Sequence, residues 1–318
     1  MVLAAFVLAS LSFSTPRIGR APRMALDAGN PVALESDAAA MLEEANGDAN
    51  KARMNFIGYT MAFIQEEQPD VYEALTKNPE RPDCHEALVE ITWDSIAAFL
   101  PVTHSPTPTP GAAKRLEAIA RGLVDVGGES VSVLDVGCGN GLLLPFLSDA
   151  AAGQSAQLEY QGIDLSSRMI SAAEAAYARD GADFTCASFA AACEGPRKYD
   201  AICFNGALQF FAEPGATIEQ AAVKLSDAPG ARVVVAHING GAFVRSEKAE
   251  NPATVLSEMP TFQELKEIAS GAGLEVAPWD GMSWETMGDD AAAEVLDDFY
   301  FAVLRRPQQA QTTVKFEI

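Results

Sequence analysis

The stretch Val133–Gly141, VLDVGCGNG, contains the residue types best suited to binding a cofactor. An apolar run typical of a strand ends at Val136, and a turn with Gly137, Gly139 and Gly141 leads into an apolar, helix-like run. Because glycine has no Cβ, a ligand can approach the backbone of such a turn closely. The unpaired amides of the following helix carry positive partial charge, which favours an anionic or polar ligand group. The pattern predicts a cofactor site at the end of a strand.

The spacing of the glycines separates two classes of cofactor. A dinucleotide pyrophosphate is usually bound by G-x-G-x-x-G, whose third glycine would fall at Leu142. The chain has G-x-G-x-G instead, with Asp135 two places before the first glycine. This nonapeptide resembles the first motif of the class I S-adenosylmethionine-dependent methyltransferases. An NAD(P)-dependent oxidoreductase is therefore disfavoured.

The resemblance implies which residues contact S-adenosylmethionine. Asp164 ends LEYQGIDL and matches the acidic residue that accepts hydrogen bonds from the ribose hydroxyls in that family, a role that suits a carboxylate because it offers only acceptors. Ser188 stands near the adenine position, where many members place an aspartate, and Asn205 ends the strand that faces the methionine part. For Ser188 and Asn205, the sequence favours contact with the ligand and capping of a loop equally. Cys138 is more typical of a small packing residue. The cofactor-binding residues implied are Asp135, Gly137, Cys138, Gly139, Gly141, Asp164, Leu165, Ser188, Phe189 and Asn205.

His237 is the candidate for a catalytic base. It ends the run ARVVVAH, and ligand crevices open at the carboxyl ends of strands in parallel sheets. A base is required only when the acceptor carries a proton of high pKa, and a structural histidine at a strand end is the alternative. The following segment, residues 238–260, has the length of a lid, with a solvated loop as the alternative. Its possible substrate contacts are Phe243, Arg245 and Lys248, and the residues Trp279, Trp284 and Met287 either line the pocket or pack against the sheet.

The elements that must position these residues alternate between strand-like and helix-like runs. Strand candidates are VSVLDVG, LEYQGIDL, ADFTCAS, DAICFNG and ARVVVAHI, and LEVAPW and DFYFAVLRR can close the sheet. TFQELKEIASGAG is a predicted helix with Thr261 and Glu264 at capping-box spacing. The alternation predicts an α/β fold, a doubly wound and mostly parallel sheet with helices on both faces.

The chain divides into five segments. Residues 1–26 form a targeting leader, residues 27–100 a helical segment, and residues 101–110 a proline-rich extended linker. Residues 111–306 form the methyltransferase-like domain, and residues 307–318 a tail. The helical segment either covers the pocket or binds a partner.

The leader combines two targeting patterns. Met1–Leu11 is apolar and of signal-peptide length, with Ser10 and Ser12 at the cleavage positions before Phe13. Three arginines and no acidic residue follow before Asp27. This arrangement resembles the bipartite plastid leader of algae whose plastids have extra membranes. A secretory signal and a mitochondrial presequence are the alternatives.

Composition excludes several function classes. The formal net charge of -22 disfavours nucleic-acid binding, which needs a cationic surface. The five cysteines contain no C-x-x-C pair, so neither a disulfide framework nor a metal site is expected. No apolar run is long enough to predict a membrane span. The sequence thus predicts a methyltransferase for a small-molecule or protein acceptor, with a non-catalytic assembly protein of the same fold as the alternative.

Overall fold

Seven strands form one sheet in the computed structural model, which describes residues 31–103, 107–177, 182–278 and 287–307. The strands are β1 (Ser130–Val136), β2 (Gln157–Asp164), β3 (Ala182–Cys186), β4 (Ala201–Asn205), β5 (Arg232–His237), β6 (Glu275–Val276) and β7 (Tyr300–Arg305). Their order is β3-β2-β1-β4-β5-β7-β6. Only β7 runs antiparallel to its neighbours among these strands. The predicted mostly parallel sheet is confirmed.

Helices flank the sheet and precede it. Those before it are α1 (Pro31–Glu44), α2 (Ala49–Glu67), α3 (Pro69–Lys77) and α4 (Pro82–Thr103). Directly before β1 stands α5 (Pro110–Val124), and those between the strands are α6 (Leu144–Gly153), α7 (Ser167–Tyr177), α8 (Phe189–Glu194), α9 (Pro214–Lys224), α10 (Gly240–Glu250), α11 (Phe262–Gly271) and α12 (Asp289–Asp298). The predicted capping box of Thr261 and Glu264 begins α11.

Side-chain alternation along the strands divides the core between the two faces of the sheet. In β5, Val233 and Val235 enter the cluster packed by α9, α11 and α12, whereas Val234 and Ala236 enter the cluster packed by α5, α6 and α7. Every residue of β5 is buried. A strand covered on both faces needs apolar side chains at successive positions, which explains the continuous run VVVA.

The strand order places a crevice at the carboxyl ends of β1 and β4. The chain moves outward from β1 through β2 to β3 and then returns to β4 on the other side. The loops after β1 and β4 consequently diverge to opposite faces, and ligands of open α/β sheets bind in the resulting gap. The loops after β1, β2, β4 and β5 all border this gap.

The helices before the sheet form small clusters of their own. Ile57, Met61, Ile64 and Ile91 belong to one, and Ala52 and Phe99 to another. The predicted extended linker begins too early, because α4 continues through Pro101 to Thr103. Pro110 starts α5 at a position where its missing amide costs no helical hydrogen bond. The described helices include none with the length and apolarity that a membrane crossing requires.

Candidate active site

The glycine turn after β1 is docked on the end of β2. The amides of Gly137 and Cys138 donate to the carbonyl oxygen of Ile163 at 2.8 and 3.0 Å. The amide of Gly139 donates to Oδ2 of Asp164 at 2.9 Å. Gly139 has φ +55°, and no other atom lies within 4 Å of the place where a Cβ would stand. The backbone is therefore open to a ligand at this residue.

Asp164 is held from a second side by the turn into α7. Its Oδ1 accepts the amide of Ser166 at 2.8 Å. Burial raises the pKa of the Asp164 carboxyl to about 6, although these backbone hydrogen bonds oppose the shift. The group is thus mainly ionised at neutral pH. Each oxygen accepts one of these two bonds, and a carboxylate has about four lone-pair sites, so acceptors remain for a pair of hydroxyls.

Three of the predicted cofactor residues lie behind the turn, outside the lining of the cavity. Asp135 is 2% exposed and its Oδ2 accepts the Tyr160 hydroxyl at 3.0 Å. Burial raises the pKa of Asp135 to about 7 and the pKa of the Cys138 thiol well above its ordinary value. A Cβ on Gly141 would stand 2.9 Å from the Tyr177 ring. These residues shape the turn from beneath.

A cavity of about 520 Å³ opens at the carboxyl ends of the strands. Ser188 borders it and also caps α8, because its Oγ accepts the amide of Ala191 at 3.3 Å. The two alternatives for Ser188 are therefore compatible. The sequence-predicted residues that line the cavity are Gly137, Gly139, Asp164, Leu165, Ser188, Phe189, Asn205 and His237.

His237 lines the cavity as a neutral ring. It is 6% exposed, and burial lowers its pKa to about 4. Its Nδ1 accepts the backbone amide of Asn239 at 3.2 Å, so the ring hydrogen stands on Nε2. Such a ring donates a hydrogen bond from Nε2 and is a weak base. The geometry favours a donor role over the base predicted from the sequence.

The segment after His237 contains a helix, so the prediction of an uninterrupted long loop is wrong. Helix α10 covers Gly240–Glu250 and brings the Phe243 ring onto His237, with ring centroids 5.4 Å apart. Arg245 forms a two-pronged ion pair with Asp297 at 2.9 and 2.7 Å. Phe243 is the one predicted substrate contact of this segment that lines the cavity; Arg245 and Lys248 are not part of its lining.

Three further residues were predicted to line the pocket or to pack against the sheet. Met287 packs against the core, and Trp279 and Trp284 lie outside the described residues.

Helix α4 forms the roof of the cavity, a role that the sequence left open. Pro82, His85, Glu86, Val89 and Trp93 face the cavity at helical spacing. The opposite face of the helix enters the two small clusters of the preceding helices. The pattern HEALVEITWDSIAAFL is apolar on more than one face, which is the signal that could have suggested burial on both sides.

Three contacts fix α4 over the site. The Asp94 Oδ1 accepts the Ser166 hydroxyl at 2.5 Å, next to Asp164. The His85 Nε2 is 2.9 Å from the carbonyl oxygen of Thr254. The Trp93 and Phe210 rings meet edge to face at 5.9 Å. The helix is thereby tied to the loops after β2, β4 and α10.

Comparisons with known proteins agree with this architecture. A family profile described as "Methyltransferase domain" matches residues 102–278, more than half of the chain. No curated protein sequence matches the chain. Among solved structures, an O-methyltransferase family protein from Burkholderia thailandensis has a TM-score of 0.50 and 15% identity, covering 81% of this chain and 73% of that one.

Two further solved structures are similar to this chain. The N-methyltransferase NodS from Bradyrhizobium japonicum, solved with S-adenosylhomocysteine, has 16% identity and a TM-score of 0.44, covering 63% of this chain and 89% of that one. A Haloferax volcanii complex of the Trm112 methyltransferase activator and a putative methyltransferase gives 21% identity and a TM-score of 0.48, with 68% and 97% covered. At these identities the likeness concerns the fold.

Proposed function

Because the chain belongs to the methyltransferase domain family, we propose that it binds S-adenosylmethionine and transfers the methyl group to an acceptor held in the same cavity. The observation that carries the proposal is the hydrogen bond from the Gly139 amide to the Asp164 carboxylate. It places an open backbone beside a carboxylate that retains free acceptor sites. The cofactor supplies a methyl group already activated by its sulfonium.

The residues present fit this cofactor. Asp164 would accept the ribose hydroxyls, and Gly139 leaves room because no side chain fills the space beside its Cα. Ser188 and Phe189 stand at the end of β3 for the adenine side, and Asn205 at the end of β4 for the methionine side. The chain's own contribution to the reaction is alignment of the acceptor and exclusion of water.

We infer that His237 positions the acceptor. Its Nε2–H is a fixed donor because Nδ1 is occupied by the Asn239 amide. The Phe243 ring stacked on it limits the orientation of the imidazole. A neutral donor of this kind can hydrogen-bond to a substrate atom other than the one that is methylated, without adding charge to the cavity.

The acceptor that best suits the cavity is a small molecule. Helix α4 covers the crevice and is tied down by Asp94 and His85. A covered cavity of about 520 Å³ lies within the range typical of small-molecule sites. A protein side chain would have to enter beneath α4.

Calorimetric titration of the chain from Ala25 onward tests the proposal. S-adenosylhomocysteine should bind with micromolar affinity, NADH should not bind, and Asp164→Ala should weaken the affinity at least about a hundredfold. Glu159→Ala, which removes an acidic side chain earlier on β2, is the matched control and should bind as the unchanged chain does. Absence of binding by a folded sample would overturn the enzyme assignment and favour the non-catalytic alternative.

For the location, we propose the plastid, reached through residues 1–26. The support is the succession of an apolar signal-like run, Phe13 and an arginine-rich, acid-free stretch.

A further inference from the structure

A second polar feature of the cavity is formed by Gln209 and Glu247. Gln209 follows β4 and Glu247 lies on α10, which follows β5, whereas Asp164 ends β2. Burial raises the pKa of the Glu247 carboxyl, and a hydrogen bond from the Gln209 amide opposes that shift. Gln209 is 2% exposed, and its backbone oxygen accepts the amides of Leu256 and Ser257 at 3.0 and 3.1 Å. The pair is therefore fixed in place at the β4–β5 side of the cavity.

Two acceptor atoms of this pair have no donor among the described residues. They are Oε1 of Gln209 and Oε2 of Glu247, and both are buried. The Gln209 nitrogen is committed to Glu247, so the amide presents its oxygen elsewhere. A buried acceptor without a donor is destabilising, and a ligand that brings N–H groups would remove that cost.

The negative charge of the cavity favours a cationic hydrogen-bond donor over a neutral or anionic one. Glu80 and Glu86 are exposed at its mouth, and Glu247 lies deeper. Neither lysine nor arginine occurs among the described residues that line it. Burial lowers the pKa of His85 and of His237, so neither ring carries a compensating positive charge at neutral pH.

Aromatic rings complete the same part of the lining. Trp93, Phe210 and Phe243 border the cavity. The negative faces of aromatic rings attract organic cations, especially where water is excluded.

We propose that the methyl acceptor is an amine, bound as its ammonium cation by Glu247 and Gln209. The inference rests on the proposed methyltransferase function and names its substrate class. An ammonium is a donor only and can bond to both unpaired oxygens, whereas a carboxylate or phosphate would meet Glu247 with like charge. In the reaction the ammonium gives one proton to the Glu247 carboxylate. The freed nitrogen lone pair forms the new N–C bond, and the electron pair of the broken S–C bond stays on sulfur.

Three probes of one shape test the charge preference directly. We would titrate 2-phenylethylamine, 2-phenylethanol and 3-phenylpropanoate calorimetrically into the chain saturated with S-adenosylhomocysteine. The amine should bind at least about tenfold more tightly than the alcohol, and the carboxylate most weakly. Glu247→Gln should abolish the preference for the amine while leaving the affinity for S-adenosylhomocysteine unchanged, which also shows that the variant folds.

Two more variants sharpen the test. Gln209→Met removes the unpaired oxygen at similar length and should reduce the preference several-fold. Glu258→Gln removes one exposed charge outside the cavity lining, and it should keep the preference. Failure of the amine to bind, equal binding of the alcohol, or a preference that survives Glu247→Gln would overturn the inference. Failure of S-adenosylhomocysteine itself to bind would instead overturn the proposed function.

Discussion

Asp164 joins the glycine turn to the end of β2 and faces the cavity at the same time. Its two oxygens accept the amides of Gly139 and Ser166. The same carboxylate that orders the turn would therefore supply its remaining acceptors to the proposed cofactor. Loss of its charge should affect both functions together.

Cofactor affinity should consequently depend on pH. Burial raises the pKa of Asp164 to about 6. Only the ionised form offers acceptors alone, so the affinity for S-adenosylhomocysteine should be constant above about pH 7 and fall by up to about tenfold per pH unit below the pKa. Calorimetry between pH 5 and 8 measures this dependence. Asp164→Asn should bind weakly with a flat profile, and a flat profile in the unchanged chain would contradict the assignment.

Asp135 gives a prediction about stability. Its pKa is raised to about 7 by burial, from an ordinary value of 3.8, so the folded state holds a proton that the unfolded state has lost between these values. Stability therefore falls as pH rises through this window, by up to about 1.4 kcal/mol per pH unit. Asp135→Asn keeps an acceptor for Tyr160 and cannot titrate, so its advantage in free energy of unfolding should grow from pH 5 to 7.

Denaturant unfolding of both proteins at several pH values measures that difference. The comparison with the variant removes the contributions of the other buried carboxyls. If the free energies of unfolding of the two proteins changed in parallel with pH, ionisation of Asp135 would not destabilise the folded state, and the prediction would be wrong.

At the scale of single residues, the sequence predicted those site residues whose position depends only on the neighbouring strand. The turn from Gly137 to Gly141 and the acid at Asp164 sit at fixed offsets from strands, so their placement at the cavity follows from the pattern. Gln209 and Glu247 are 38 positions apart, and only the packing of α10 brings them together. The protonation of His237 likewise depends on burial and on the Asn239 amide, which no spacing reveals.

Among the elements, α10 depends on a glycine at its start. Gly240 has φ +77°, and a Cβ there would overlap the backbone oxygen of Asp297 at the end of α12. This close approach sets the position of the helix that carries Phe243 and Glu247. A lid loop was predicted here from the length of the segment, whereas Gly240 and Gly241 allow tight packing of a helix.

Gly240→Ala should therefore lower the free energy of unfolding by about 2–4 kcal/mol, since left-handed strain and a backbone clash add together. Gly273→Ala is the matched control. Gly273 has φ +69° with no atom within 4 Å, so only the strain of about 1–2 kcal/mol applies. Equal losses in denaturant titrations of the two variants would contradict the packing explanation.

The strands were predictable because burial on both faces leaves a continuous apolar run, as at residues 233–236 of β5. The extent of α4 was not, because Pro101 indicates a helix end although the helix continues to Thr103. Its role as a roof was also hidden, since that role depends on contacts with Ser166 and Thr254, far along the chain.

At the scale of the whole molecule, the helices before the sheet and the sheet itself share one site. The family profile begins at residue 102, yet α4, which precedes nearly all of it, supplies Glu86 and Trp93 to the cavity. The residues proposed to bind the cofactor lie within the matched range. The residues proposed to bind the acceptor lie on both sides of this boundary, because Trp93 belongs to α4 and Glu247 to α10.

The leader gives the prediction that concerns the molecule's location. Residues 1–26 fused to a fluorescent protein should deliver it to the plastid of an alga whose plastid has extra membranes. The apolar run Met1–Leu11 would direct the first membrane crossing, and the arginine-rich stretch the later ones. Replacing Phe13 by Ala should stop the fusion before the plastid interior, whereas replacing Ser14 by Ala, a matched change one residue on, should not. Fluorescence in mitochondria or in the medium would instead support one of the two other leader types.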